Sequence, residues 1–215
     1  MNVLDTQTQS ITNPEEIEWI QLIRQGDDTA FTLLVERYQN AVYHLCYRML
    51  GTSTEAEDAS QETFIRAYNA IERYDTSRKF STWLLSIATN YCIDQLRKRR
   101  LFTLSFEDMP FFDLAESGPG PEGSMLMDER QRQVHQLLRA LSETDRAAVV
   151  LRYWYDYSYE EIAEVLNLTN SAVKSRLHRA RLSLADAWND QNGQAQPGHV
   201  QPLPAHGMPY ATQNI

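Results

Sequence analysis

At 215 residues the chain can form one ordinary domain or two small ones, and 42% hydrophobic residues are enough to pack a core. No apolar run approaches the roughly 20 residues that cross a bilayer, and the opening MNVLDTQTQSITNPEE has neither a basic start nor an apolar stretch. Neither membrane insertion nor secretion is therefore expected and a cytoplasmic protein is, while a formal net charge of −9 argues against a simple nucleic-acid binder until its distribution is read.

Residues 1–13 show no periodic pattern and are expected to be disordered. Ile17, Ile20 and Ile23 then recur at helical spacing in a short helix that should stop at Gly26-Asp27. The stripe Phe31, Leu34, Val35, Tyr38, Val42, Leu45 and Met49 predicts a second helix ending at Gly51. Thr54 followed by Glu57 reads as a capping box opening a third helix through Ala59, Phe64, Ala67 and Ile71. The polar run of residues 73–79 breaks the period and predicts a loop. A long helix from about Ser81 to Arg100 follows, burying Leu84, Leu85, Ala88, Cys92 and Leu96, and completes a first domain over residues 14–100.

Residues 101–129 contain Pro110, Gly118-Pro119-Gly120-Pro121 and Gly123, seven acidic residues, and no Lys or Arg at all. They read as a flexible acidic linker, although Phe102, Phe106, Phe111 and Phe112 are aromatic enough to be expected to dock on something. A second helical block covers residues 130–188. Val134, Leu137, Leu138 and Leu141 form one stripe, and Ser142 caps a helix carrying Ala147, Val150, Leu151 and Trp154. Ser158 with Glu161 makes a capping box before Ile162, Ala163, Val165 and Leu166, and the turn Asn167-Leu168-Thr169 leads into a last helix lined by Val173, Leu177, Ala180 and Leu184. Residues 189–215 are rich in Gln, Pro, Gly and His and are expected to be disordered. The expected fold class is all-α: two small helical domains joined by a flexible acidic linker, the second containing a helix-turn-helix.

The positive charge concentrates at Arg97-Lys98-Arg99-Arg100 and along Lys174, Arg176, Arg179 and Arg181. Two basic stripes with an acidic connector fit a protein that touches DNA at two places. In the second block, Ala163 is small where two helices would cross, Leu168 can plug the turn, and Ile162, Val173 and Leu177 supply a shared core. The face left over carries Ser171, Lys174, Ser175, His178 and Arg181, flanked by Arg176 and Arg179. Polar residues near such a helix start can reach base edges, and the basic ones neutralise phosphates.

The stretch LSETDRAAVVLRYWYDYSYEEIAEVL (141–166), continuing to VKSRLHRAR (173–181), resembles the C-terminal domain of bacterial sigma factors of the extracytoplasmic-function class. The resemblance implies that this helix-turn-helix reads the minus-thirty-five promoter element through Ser171, Lys174, Ser175, Arg176, His178, Arg179 and Arg181. Ser171-Ala172 stands where a Gly-Thr pair is common in that class. EAEDASQETFIRAY (55–68) is similar to the family segment that docks on the clamp helices of RNA polymerase, which implies that Asp58, Gln61, Glu62 and Phe64 bind core polymerase rather than DNA. FSTWLLSIATNYCIDQLRKRR (80–100) resembles the promoter-melting segment, preceded by the loop that captures an unstacked minus-ten base. By that resemblance, Arg73, Tyr74, Arg78 and Lys79 hold flipped bases, Asn90 and Asp94 read them, and Arg97, Lys98, Arg99 and Arg100 follow the opened strand. Trp83, on the family's Trp-Leu-x-x-Ile-Ala pattern, reads first as a core anchor.

The resemblance implies a transcription initiation factor that binds core polymerase (clamp helices and flap) and promoter DNA, with no cofactor or metal and with an anti-sigma factor as a candidate partner. Cys46 and Cys92 are far apart in sequence and read as buried reduced thiols. No phosphate loop, metal-spaced cluster or nucleophile-base pair supports an enzyme, and Glu160-Glu161 and Asp27-Asp28 read as cap residues. The competing reading is a conventional helix-turn-helix regulator with an N-terminal helical dimerisation domain, which leaves the 97–100 stripe unused. The acidic linker and tail oppose both stripes, so the free chain is expected to bind duplex DNA poorly.

Overall fold

The computed structural model describes residues 13–106 and 129–191, and all regular structure in these residues is helical. Most of the expected linker, the tail beyond residue 191 and the first twelve residues lie outside them, Phe111 and Phe112 included.

Helix α1 (Pro14–Arg24) starts where Asn13 accepts from the Glu15 amide at 3.1 Å, with Pro14 at the first position, where its missing N–H costs nothing. Asp27 caps α2 (Asp28–Leu50) through the Thr29 amide at 2.9 Å, and Gly51 ends it in the left-handed conformation at φ 95°. A Cβ at position 51 would also lie 3.3 Å from Arg139 Nη2. Gly51→Ala is therefore expected to lower stability by about 1–2 kcal/mol, the usual penalty for a side chain in that conformation, read as a lower urea midpoint.

Thr52, and not Thr54, caps α3 (Ser53–Ala70), and its hydroxyl also reaches the Glu55 carboxylate at 2.8 Å. The reason for the two-residue shift is local: directly after left-handed Gly51 the chain is extended at Thr52 (φ −127°, ψ 149°), so the helix begins at once. A 3-10 turn, Ile71–Arg73, opens the expected loop. Helix α4 (Phe80–Phe106) then runs past Arg100 into what reads as linker, because residues 101–106 hold no breaker; the first is Pro110.

Helices α1 to α4 bury Ile20, Leu34, Val42, Leu45, Met49 and Leu84 completely, and Cys46 and Cys92 are free thiols in the same core. In the second block, α5 (Glu129–Arg139), α6 (Glu143–Trp154), α7 (Tyr159–Leu166) and α8 (Asn170–Gln191) close around Ala147, Val150, Leu151, Ile162 and Val173. The two blocks pack against each other. Helices α6 and α7 pack on α2 and α4, and one continuous set of buried side chains runs through both blocks.

Two buried polar contacts fix this arrangement. Arg146 on α6, 7% exposed, donates from Nη1 to the Met49 carbonyl at 2.6 Å and from Nη2 to the Arg139 carbonyl at 3.4 Å. The Met49 carbonyl lies in the last turn of α2, where backbone oxygens lack helical partners and the helix dipole favours a cation. Burial pushes the Arg146 guanidinium down to about 10, so it remains charged at neutral pH. Tyr155 donates its hydroxyl to the Ala41 carbonyl at 2.6 Å, in mid-α2. His135 sits edge-on to Tyr47 at 4.4 Å, and burial first, then Arg139, Arg48 and Arg146, push its imidazole down to about 4 and hold it neutral.

Candidate nucleic-acid interface

The second block builds a complete helix-turn-helix from short-range chemistry. Ser158 and Glu161 form the reciprocal capping box at the start of α7, with Ser158 N donating to Glu161 Oε2 at 2.9 Å and Glu161 N to Ser158 Oγ at 3.1 Å. Asn167 takes the left-handed conformation (φ 52°) that ends α7, and the Leu168 amide returns to the Ala163 carbonyl at 2.8 Å. Thr169 then accepts from the Ala172 amide at 3.2 Å, and Asn170 reaches back to Glu160 at 2.9 Å. Ile162, Ala163, Val173, Leu177 and Ala180 are buried between the two helices.

Ser171, Lys174, Ser175, His178, Arg179 and Arg181 all lie exposed on α8. Arg176 does not share that environment. It is half-buried and paired with Asp145 at 2.9 Å, and the Ser142 hydroxyl that caps α6 donates to the same carboxylate at 2.8 Å. In this conformation Arg176 ties α8 to α6 and is not presented with the other cations.

The loop of residues 73–79 is anchored from below. Arg24, which sequence reasoning did not single out, donates from Nη2 to the Ile71 carbonyl at 3.0 Å and to the Tyr74 carbonyl at 2.5 Å. Asp75 accepts from the Ser77 amide at 2.9 Å and so tightens the turn. Tyr74, expected to offer a surface to a flipped base, is only 3% exposed. Its ring packs on Trp83 at 4.7 Å and Phe80 at 5.4 Å, and its hydroxyl donates to the Arg78 carbonyl. It shapes the loop from inside, and Trp83 is the anchor its pattern suggests.

Arg73 is exposed, Arg78 is paired with Glu164 of α7, and Lys79 reaches Glu161 at 3.1 Å. Along α4, Asn90, Asp94 and the four basic residues at 97–100 are exposed, with Arg97 3.9 Å from Asp94. Arg99 is paired with Glu55 of α3 and Arg100 lies 3.4 Å from Glu143 of α6. Asp58, Leu50, Tyr91, Lys98 and Phe102 line one cleft between α3 and α4, so the acidic and basic surfaces adjoin.

On α3, Asp58 and Gln61 are exposed, Glu62 is half-buried and paired with Arg66 at 2.7 Å, and Phe64 packs edge-on against Phe31 at 6.4 Å. Beside them Ile65 (56% exposed) and Tyr68 (40%) extend this face with apolar surface that the sequence reading overlooked. The signal was available: both project off the stripe that buries Ala59 and Ala67.

Residues 34–102 match the family model Sigma-70 region 2, and residues 131–184 match Sigma-70, region 4. The ECF RNA polymerase sigma factor SigW of Bacillus subtilis is 38% identical over 178 residues, covering 80% of this chain and 95% of SigW. The chain belongs to the extracytoplasmic-function class of sigma-70 factors. It is an RNA polymerase sigma factor, acting in promoter recognition and transcription initiation.

The fold of this sigma factor is similar to that of CnrH, solved in complex with the cytosolic domain of CnrY, with a TM-score of 0.60 and 26% identity over 82% of this chain and 98% of that one. It also shares its fold with the sigma factor RpoE of Bartonella quintana, solved with the anti-sigma factor NepR, at a TM-score of 0.58 and 22% identity over 74% of this chain and 96% of that one. Among the described residues of the sigma factor, no helix is long and apolar enough to cross a membrane.

Proposed function

We propose that α8 of this sigma factor lies in the major groove of the minus-thirty-five element, with Ser171, Lys174, Ser175 and His178 towards base edges and Arg179 and Arg181 on phosphates. The loop of residues 73–79 and the outer face of α4 (Asn90, Asp94 and the cations at 97–100) hold the melted minus-ten strand, Arg73, Arg78 and Lys79 supplying charge and Tyr74 the shape of the loop. Asp58, Gln61, Glu62 and Phe64, with Ile65 and Tyr68 beside them, dock on the polymerase clamp helices, and the second block meets the flap. The protein works in the cytoplasm without catalysis of its own. The complex of its structural neighbour with NepR supports an anti-sigma factor as a further partner.

The observation that carries this reading is the pairing of an exposed polar and basic face on α8, in a fully built helix-turn-helix, with a second exposed basic stripe on α4. Base-edge and phosphate contacts need the first, and a displaced single strand needs the second. The test is reconstitution with core polymerase. The holoenzyme is expected to start transcripts at a defined promoter and to render its minus-ten thymines permanganate-reactive. Tight duplex binding by the chain alone, with no transcripts in the presence of core enzyme, would identify a conventional regulator instead.

A further inference from the structure

No glycine or proline stands in residues 70–80, yet α3 stops at Ala70. Its last turn holds no basic residue to meet the end carbonyls, and Ile71 beyond it is right-handed. Neither a left-handed stop nor a local cation ends this helix. The cation comes from α1. Nη2 of Arg24 donates to the Ile71 and Tyr74 carbonyls together, and Nε lies 3.3 Å from the Ile71 oxygen. One guanidinium thus clamps both ends of the 3-10 turn, across which the Tyr74 amide also returns to the Ile71 carbonyl at 3.2 Å. At Tyr74 the chain is extended (φ −67°, ψ 128°) and leaves as the rest of the loop.

Arg24 is fixed on its own side as well. It ends α1, where Gly26 at φ 92° turns the chain, and Ile20 and Ile23 seat that helix in the core. Near the other end of α1, the buried Glu16 carboxylate accepts from the Tyr38 hydroxyl of α2 at 2.6 Å. Helix α1 precedes the residues that match Sigma-70 region 2, so the clamp is supplied from outside the matched stretch. Within the turn Ile71 and Tyr74 are buried and Arg73 is exposed. Holding the two carbonyls therefore sets the direction in which Arg73 leaves the surface.

We propose that Arg24 is a positioning residue for the capture of a minus-ten base: it sets the backbone from which Arg73 and residues 75–79 meet the strand, and touches no DNA itself. The assignment rests on reading the 73–79 loop as DNA-contacting. Hydrogen bonds from a charged donor are stronger than neutral ones, and a displacement of about 1 Å in the frame of a binding site is enough to spoil its fit.

The test uses reconstituted holoenzyme and a fluorescent single-stranded oligonucleotide carrying the promoter's minus-ten sequence, intact or with an abasic site at each position in turn. A chain with residues 75–78 replaced by Gly-Ser-Gly-Ser marks the position that the loop holds. Arg24→Gln removes the clamp. Arg24→Lys keeps a single nitrogen able to stand between the two carbonyls, as Nη2 does. Arg37→Gln removes a cation that ties α2 to Glu15 and Glu16 of α1 without touching the turn.

Wild type is expected to bind the intact strand about tenfold tighter than the strand abasic at the loop's position, the usual worth of one held base. Arg24→Gln should cut that ratio to about twofold by weakening the intact strand alone, with core polymerase binding unchanged. Arg24→Lys should restore the ratio, and Arg37→Gln should leave it as in wild type. An Arg24→Gln holoenzyme that keeps the wild-type ratio overturns the assignment. So does one that loses intact and abasic strands equally, which would make Arg24 a phosphate contact or a general support of the fold. A 75–78 replacement that changes the ratio at no position refutes the reading of the loop itself, and the positioning role with it.

Discussion

Replacing Lys174 and Arg179 together with glutamine is expected to reduce initiation from a promoter that depends on its minus-thirty-five element by roughly 100-fold, about tenfold for each lost contact. Both side chains are exposed on α8 and, among the described residues, neither carries an ion pair; Lys174 lies 5.8 Å from the Tyr159 ring, where its charge adds little in water. The helix should therefore survive the change, with unaltered circular dichroism and melting. The salt slope of promoter binding should fall by about one unit for each phosphate contact removed. Transcript yield against salt concentration is the measurement, and unchanged initiation would remove α8 from the DNA interface. Arg176 is a poor choice for the same test. Its partner Asp145 is bound to the α6 cap, so Arg176→Gln disturbs both helix packing and charge.

Phe80→Ala is expected to lower stability by about 3–5 kcal/mol, the cost of a large cavity in a well-packed core. Phe80 is 1% exposed at the start of α4 and touches Tyr38 at 5.4 Å, Tyr74 at 5.4 Å and Trp83 at 5.5 Å. No other side chain joins α2, the loop and α4 at one point in this way among those rings. The melting temperature should drop by roughly 10 °C in a scanning measurement. Oligonucleotide binding should weaken with it even below the transition, since Tyr74 loses the wall that keeps the loop folded. A loss under about 1 kcal/mol would mean the cluster can collapse into the space.

Much of the fold is legible because it is written locally. Ser158 and Glu161, three residues apart, close a capping box that needs no distant partner, and Gly51 and Asn167 mark helix ends because their conformation is left-handed. Apolar spacing finds the core faces of α2 and α8. Errors occur where two local signals compete. Thr54-Glu57 and Thr52-Glu55 are equivalent as strings, and only the extended backbone at Thr52 selects the second. Arg100 looks like an end because the charge pattern changes there, yet charge does not stop a helix and α4 continues to Phe106.

The candidate site divides in the same way. Exposure of Ser171, Lys174, Ser175, His178, Arg179 and Arg181 follows from helical periodicity once Val173, Leu177 and Ala180 are assigned to the core. The fates of Arg176 and Tyr74 do not follow. One depends on Asp145, 31 residues away, and the other on Phe80 and Trp83 closing over it. Arg146 gives no warning at all in sequence: it is one arginine before an apolar run, and its partner is a backbone carbonyl 97 residues distant.

By itself, then, the sequence determined the order of the helices, the caps at Ser142 and Ser158, the helix-turn-helix and the two basic stripes, because each arises from residues within one or two turns of one another. The tertiary structure alone decided that the two blocks close on each other, that Glu161 serves the 73–79 loop as well as its own helix, and that Arg78 and Lys79 are paired with carboxylates of α7. The physical reason is range. Caps and periodicity act through neighbouring bonds, whereas ion pairs and buried hydrogen bonds between blocks depend on how two finished surfaces meet, which no local pattern encodes.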